Sequence, residues 1–105
     1  MNTVISPSNA PFTFSLDWLS DGFPVEADGT VDGHGWFFRD TGCRWEFVVS
    51  LVERVAPIDL SLHFDPARGF CLHGTAAEVG SQTERRIRTL STWAARQFHA
   101  SETTG

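Results

Sequence analysis

The feature that most constrains the fold is an alternation of apolar and polar residues that recurs along much of the chain. It covers residues 12–18, 45–52 and 58–64. Successive side chains of an extended chain point to opposite faces, so each segment is predicted to be a β-strand with an apolar face. Pro57 precedes the third segment, and proline is typical of the first position of a strand. Each of these strands must bury its apolar face against another layer.

Turn signals separate these segments. Asp-Gly dipeptides occur at 21–22, 28–29 and 32–33. Such dipeptides favour the positive φ angles of tight turns, so residues 19–34 are predicted to be dominated by turns. A short strand at 35–39 and a turn at 40–42 follow.

A second hairpin is predicted around residues 65–69. This segment has proline where φ must lie near about −65° and glycine where a left-handed conformation is needed. The hairpin would pair the strand at 58–64 with a returning strand at 70–75. With Asp65 opposite Phe70, the register places Cys71 and His73 on the core side of the sheet.

The C-terminal segment has the period of a helix. Ser81 and Glu84 fit a capping box, and the helix is predicted over 82–99. Its apolar stripe comprises Ile87, Leu90, Ala94 and Phe98, with Trp93 on the flank. Its opposite face comprises Arg85, Arg88, Thr92, Arg96 and His99. Residues 1–80 carry a net charge of −7 and residues 81–105 carry +2, so we expect a basic helix face on an acidic body.

The predicted class is therefore α+β. A curled antiparallel meander of about five strands carries one C-terminal helix on its apolar face, because half-apolar elements must pack in layers. Residues 1–11 are predicted to be a flexible arm, 12–100 a single domain and 101–105 a frayed tail.

Charge and composition disfavour several classes of function. The net charge of −5 disfavours a nucleic-acid partner, since such binding depends on Lys and Arg neutralising phosphates. Lysine is absent, which excludes Schiff-base chemistry and the lysine of phosphate loops. No segment approaches the roughly 18 apolar residues of a membrane span, and a secretory signal pattern is missing. We expect a cytoplasmic protein with no membrane partner, and the arginine-only basicity suits a GC-rich, bacterial genome.

The two cysteines, Cys43 and Cys71, are expected to be free thiols, with a single disulfide as the alternative. The best metal candidate combines Cys71 and His73 with His63 and Asp65. The predicted register opposes it, because His63 and Asp65 point to one face and Cys71 and His73 to the other. A five-residue loop would reverse this parity. No metal and no cofactor are predicted.

The chain also carries more large apolar residues than one sheet face can hold. If the face beneath the helix is filled by the segments at 12–18 and 45–52, part of a second set must lie on the other face. That set comprises Trp36, Phe37, Phe38, Phe70 and Leu72. We expect this face to be covered by curling of the sheet, by the segment at 19–34, or by another chain in a homodimer or a complex.

Two functional hypotheses follow. The leading one is a small acidic protein-interaction module of the adaptor or inhibitor type, without enzymatic activity. Its predicted binding surface comprises Trp36, Phe38, Phe70, Leu72, Arg85, Arg88 and Arg96. The alternative is a domain that binds a small molecule or a metal, with possible catalysis, in a pocket between sheet and helix. Its predicted lining comprises Trp18, Trp45, Trp93, His63, Cys71 and His73. No sequence motif indicates a reaction.

Overall fold

The computed structural model describes residues 11–22, 24–42, 44–62, 64–75 and 84–104. They form, in chain order, the elements β1 (Phe14–Leu19), β2 (Val25–Val31), β3 (His34–Asp40), β4 (Arg44–Ser50), α1 (Pro57–Leu62), β5 (Gly69–Thr75) and α2 (Glu84–Thr104). The five strands make one antiparallel sheet in the order β1-β2-β3-β4-β5, which does not close into a barrel. This confirms the predicted α+β class, the five-stranded meander and the C-terminal helix packed on it.

The strand β2 occupies a segment that the Asp-Gly dipeptides had assigned to turns. Val31 pairs with His34, so Asp32 and Gly33 form the two-residue loop of the β2–β3 hairpin, with φ angles of 51° and 84°. This turn is as predicted. Gly29, in contrast, lies within β2, where a Cβ atom would collide with the backbone carbonyl of Ser15. The glycine is there for the close approach of β1, and the prediction of turns throughout 19–34 was wrong.

A bulge in β1 changes the face on which Trp18 lies. Leu16 pairs with Gly29 and Trp18 with Asp28, which leaves Asp17 as the extra residue. Trp18 therefore leaves the apolar face that Phe14 and Leu16 share, and 46% of its surface is exposed. The unbroken alternation predicted for residues 12–18 ends at the bulge.

Residues 57–62 form the helix α1, so the strand predicted at 58–64 was wrong. Pro57 stands at the first helical position, where its missing N–H costs nothing. The N–H groups of Asp59 and Leu60 both donate to the carbonyl of Ala56. The physical reason is pairing: β4 already has β3 on one side and β5 on the other. The segment therefore has no free edge on β4 to pair with.

Two cores result, one on each face of the sheet. The larger lies beneath α2 and comprises Ala27, Val31, Trp36, Phe38, Phe47 and Val49 with Ile87, Ala94, Ala95 and Phe98. The smaller lies beneath α1, whose Leu60 is 3% exposed; it includes the buried side chains Phe37 and Val48. The second face is thus covered, in part, by α1, the segment for which the alternating pattern predicted a strand.

The helix α2 confirms its predicted apolar stripe, because Ile87, Ala94 and Phe98 are buried. It extends to Thr104, five residues beyond the end at 99 that the sequence predicted. The predicted cap at Ser81 and residues 1–10 of the arm predicted at 1–11 lie outside the described residues. Within the described part of the chain, neither helix combines the length and apolarity that crossing a membrane requires.

Candidate interaction surface

The outer face of α2 carries a shallow groove of about 430 Å³. Its lining comprises Arg85, Arg88, Thr89, Thr92, Trp93 and Arg96; this set is called the α2 groove below. The indole of Trp93 is 49% exposed. Because the opposite side of the helix is buried in the main core, the 3.6-residue period places all of these side chains outward.

The arginines of the α2 groove differ in their partners. Arg88 Nη2 lies 3.3 Å from Glu84 Oε2 on the preceding turn. The guanidinium of Arg96 stacks on the ring of Phe12, with Cζ 4.4 Å from the ring centroid. Arg85 has no ion pair among the described residues. The groove therefore presents at least one uncompensated positive charge beside an exposed aromatic ring.

The indole of Trp93 is supported from behind. It meets Trp45 edge to face, with ring centroids 6.3 Å apart, and Trp45 stacks in turn on Phe38. Trp45 lies flat over Gly74, where a Cβ atom would come within 2.8 Å of the indole Nε1. Trp93 is therefore held by a rigid aromatic stack that extends into the main core, while its outer surface stays available.

The predicted binding surface is only partly assembled. Arg85, Arg88 and Arg96 are exposed on one face of α2. Trp36 and Phe38 are fully buried beneath α2, so their place in an exposed surface was wrong. Phe70 and Leu72 also lie on the α2 side and pack against the main core. The prediction assigned the wrong residues of β3 to the second face: side chains alternate along the strand, and Phe37, between Trp36 and Phe38, is the one that faces α1.

The predicted pocket between sheet and helix is not assembled. Trp45 and Trp93 contact each other on the α2 side. Cys71 pairs with Val48 and His73 with Glu46, so both point to the α1 side, as Trp18 does opposite Asp28. Their predicted placement on the core side depended on a hairpin with residues 58–64, which does not form. His63 lies outside the described residues.

The α1 side of β5 has its own polar cluster. Cys71 is a free, half-buried thiol, while Cys43 lies outside the described residues. Burial raises the pKa of the Cys71 thiol; the nearby Glu46 carboxylate adds to this effect and Arg44 opposes it. Glu46 Oε1 accepts a hydrogen bond of 2.8 Å from Ser61 Oγ on α1. Within one chain, the described residues contain no group of three or more His, Cys, Asp or Glu side chains that could hold a metal ion.

A second cleft, of about 480 Å³, lies where β3 begins and β4 ends. Its lining comprises Gly33, His34, Gly35, Ser50, Leu51, Val52, Glu53, Val55, Ala56 and Pro57. The ring of His34 rests edge to face against Phe98, and the Ser50 hydroxyl donates to the carbonyl of Val52. This cleft was not predicted from the sequence, because the segment before α1 forms one wall and α1 itself was not predicted.

Sequence reasoning also missed the pairing of Asp32 with His99. Asp32 Oδ2 lies 2.6 Å from His99 Nδ1, and Asp32 Oδ1 accepts a hydrogen bond from the Thr13 N–H. The ring of Phe12 packs edge to face on His99. This cluster joins the start of β1, the β2–β3 turn and α2. It ties α2 to the β2–β3 turn and to the residues just before β1.

Comparison of the chain with protein-family models, with curated proteins and with solved structures found no significant match.

Proposed function

We propose that this chain is a small acidic protein-interaction module of the adaptor or inhibitor type, without enzymatic activity, and that it binds an acidic protein segment in the α2 groove. The observation that carries the proposal is the exposed Trp93 flanked by Arg85, Arg88 and Arg96 on a chain of net charge −5. Tryptophan and arginine are the residue types that most often dominate binding energy at protein interfaces.

Helix stability does not account for Arg85. This residue lies in the first turn of α2, where the partial positive charge of the helix N-terminus makes a cation unfavourable by about 0.3–1 kcal/mol. Arg88 lies one turn further along and pairs with Glu84, whereas Arg85 has no ion pair among the described residues. A binding role explains a charge that the helix itself does not favour.

The rigid support of Trp93 favours the same function. An interface anchor binds more strongly when it is already held in place, because less side-chain entropy is lost on association. The stack from Trp93 through Trp45 to Phe38 provides that support. A protein partner in the cytoplasm with acidic residues around an apolar anchor would complement the groove.

The test is a titration of a fluorescein-labelled peptide of about twelve residues, rich in Glu and with one central Leu, followed by fluorescence anisotropy. The variants are Trp93→Ala and the double variant Arg85→Glu/Arg88→Glu. Arg54→Glu is the control, because Arg54 is exposed on the loop before α1. We expect each α2 variant to weaken binding at least tenfold and the control by less than twofold. Two further probes test the partner class: a Lys-rich peptide, and a single-stranded oligonucleotide with the same negative charge as the Glu-rich peptide. Binding of the oligonucleotide as tightly as the Glu-rich peptide, or more tightly, would contradict the proposal.

A second candidate function is small-molecule binding in the cleft formed by β3, β4 and the loop before α1. It is favoured by the volume of about 480 Å³, which is within the range of ligand sites. A fragment screen by NMR would test it: chemical-shift changes at Gly33, Gly35 and Val55, without changes on α2, would support this second function.

A further inference from the structure

The two edges of the sheet are protected differently. The edge strand β1 carries a bulge at Asp17 together with the charge of that residue, and both features hinder pairing with another strand. The edge strand β5, Gly69–Thr75, contains neither a charged residue nor a proline. It pairs with β4 at seven consecutive positions without a bulge. Proteins normally protect edge strands against pairing, so the regular edge of β5 suggests that it pairs with a strand of another chain.

The hydrogen-bond pattern shows which groups of β5 point away from β4. The N–H of Leu51 donates to the carbonyl of Arg68, which continues the register in which Ser50 faces Gly69. Bonded and non-bonded pairs alternate along an antiparallel ladder. Phe70, Leu72 and Gly74 are therefore bonded to β4. The backbone groups of Cys71 and His73, together with those of Gly69 and Thr75, are directed to the side of β5 on which no strand of the described residues pairs.

These outward groups match those of a second copy of the same strand. If two β5 strands pair antiparallel about a two-fold axis at Leu72, Cys71 lies opposite the partner's His73 and exchanges two backbone hydrogen bonds with it. Gly69 lies opposite the partner's Thr75 in the same way. The arrangement is self-complementary and closes as a dimer, as a two-fold interface must.

The same register brings four metal ligands onto one face. Cys71 and His73 both point to the α1 side and lie roughly 6–7 Å apart along the strand. Across the axis, directly opposite residues lie about 5.5 Å apart and diagonal ones about 7–8 Å apart. Two thiolates and two imidazoles at these spacings fit the tetrahedral set in which zinc binds sulfur at about 2.3 Å and nitrogen at about 2.0 Å. The diagonal between the two Cys71 residues exceeds the usual Cα separation of a disulfide, so the geometry favours a metal.

Among the described residues, α1 packs mainly on β3 and β4 and approaches β5 at Gly69 through Leu60, while His73 is exposed. Glu46 lies opposite His73 on β4 and on the same face. Its carboxylate accepts a hydrogen bond from Ser61 through Oε1, and in the proposed site it would also accept the second N–H of a zinc-bound imidazole, the partner that such ligands usually have. One chain supplies two ligands, so the site is incomplete without the second copy.

We propose that β5 pairs with β5 of a second copy about a two-fold axis at Leu72, and that Cys71 and His73 of both copies bind one zinc ion. The dimer continues the sheet to ten strands and leaves the α2 groove of each copy outside the interface. The proposal is therefore independent of the function assigned to that groove.

The test uses tag-free full-length protein stripped of metal with a chelator. Light scattering with and without zinc should show a shift from monomer to dimer that saturates at one zinc per two chains. Cobalt(II) should give the visible absorption of tetrahedral coordination with thiolate ligands. Cys71→Ser and His73→Ala should each weaken zinc binding at least a hundredfold and lose the cobalt spectrum. Circular dichroism checks that each variant is folded.

Matched controls separate the two parts of the proposal. Cys43→Ser and His34→Gln remove a cysteine and a histidine from other positions and should keep both zinc and dimer. Thr75→Pro removes an outward N–H of β5 and leaves all four ligands, so it should weaken dimerisation at least tenfold. A monomer at saturating zinc, one zinc per chain, or unchanged zinc binding in Cys71→Ser would each overturn the proposal.

Discussion

Asp32 and His99 are 67 residues apart in the chain, and their side chains meet at 2.6 Å. Both are largely buried, with side-chain exposures of 20% and 14%. Asp32 also has a positive φ of 51°, a conformation that Asp and Asn adopt more readily than most residues. The same carboxylate therefore shapes the β2–β3 turn and holds α2 in place.

Asp32→Asn should destabilise the protein by about 1 kcal/mol, because it keeps the turn and the bond from Thr13 but removes the charge that His99 contacts. Asp32→Ala should cost more, about 2 kcal/mol, since it also removes the acceptor of the Thr13 N–H. Urea unfolding measures both, and the exposed Asp21→Asn serves as a control. No loss in Asp32→Asn would show that the charge beside His99 contributes little, and equal losses for Asn and Ala would show the same of the bond from the Thr13 N–H.

Gly29→Ala should prevent folding or cost more than about 3 kcal/mol, because the new Cβ would collide with the Ser15 carbonyl in the neighbouring strand. Gly22→Ala adds the same methyl group where no atom lies within 4 Å and should be neutral or stabilise by about 0.4–1 kcal/mol. Thermal unfolding of the two variants makes the comparison. A tolerated Gly29→Ala would mean that β1 and β2 do not approach as described.

Leu60→Ala and Ile58→Ala distinguish α1 from the strand that the alternation predicts. In α1, Leu60 is 3% exposed and Ile58 is 41% exposed. Leu60→Ala should therefore cost about 2–4 kcal/mol and Ile58→Ala less than about 1 kcal/mol. In a strand both side chains would share the buried face. Similar losses in denaturant unfolding would then favour the strand.

The pKa of the Cys71 thiol, raised chiefly by burial and further by Glu46, predicts a loss of stability in alkaline solution. The unfolded chain ionises at the ordinary thiol pKa, while the folded chain holds its proton to higher pH. Stability is therefore complete below that pKa and falls as pH rises through and above about 8.5–9. Urea unfolding of metal-free protein between pH 7 and 10 should show a steeper decline for the Cys43→Ser variant than for Cys43→Ser/Cys71→Ser. Parallel curves would contradict the raised pKa.

The sequence predicted what depends on local periodicity. The buried stripe of Ile87, Ala94 and Phe98 was predicted because a long helix repeats its apolar positions over several turns. The outward direction of Arg85, Arg88 and Arg96 follows from the same period. The Asp32-Gly33 turn was also predicted, because positive φ at two consecutive positions has a strong local signature.

What failed depended on partners distant in sequence. Alternation over residues 58–64 fits a strand, but a strand must pair with a free edge. Both edges of β4 are already paired, with β3 and β5. Gly29 follows Asp28 in a dipeptide typical of turns, but it lies within β2, where the lack of a side chain lets β1 approach closely. The faces of Trp18, Trp36 and Cys71 each depend on parity, and a shift of one residue at a bulge or hairpin reverses every side chain beyond it.

The Leu51 N–H donates a hydrogen bond to the Arg68 carbonyl, which closes the base of the loop that contains α1. The pairing of β4 with β5 therefore begins directly at the base of this loop. Its helix nevertheless hides Phe37 and Val48, on a sheet whose β5 edge lacks charge and proline. A chain in which α1 has opened transiently would expose apolar surface and a pairing-competent edge together, and these are the two ingredients of aggregation. The six residues of α1 thus cover apolar surface on a sheet whose edge strand can pair.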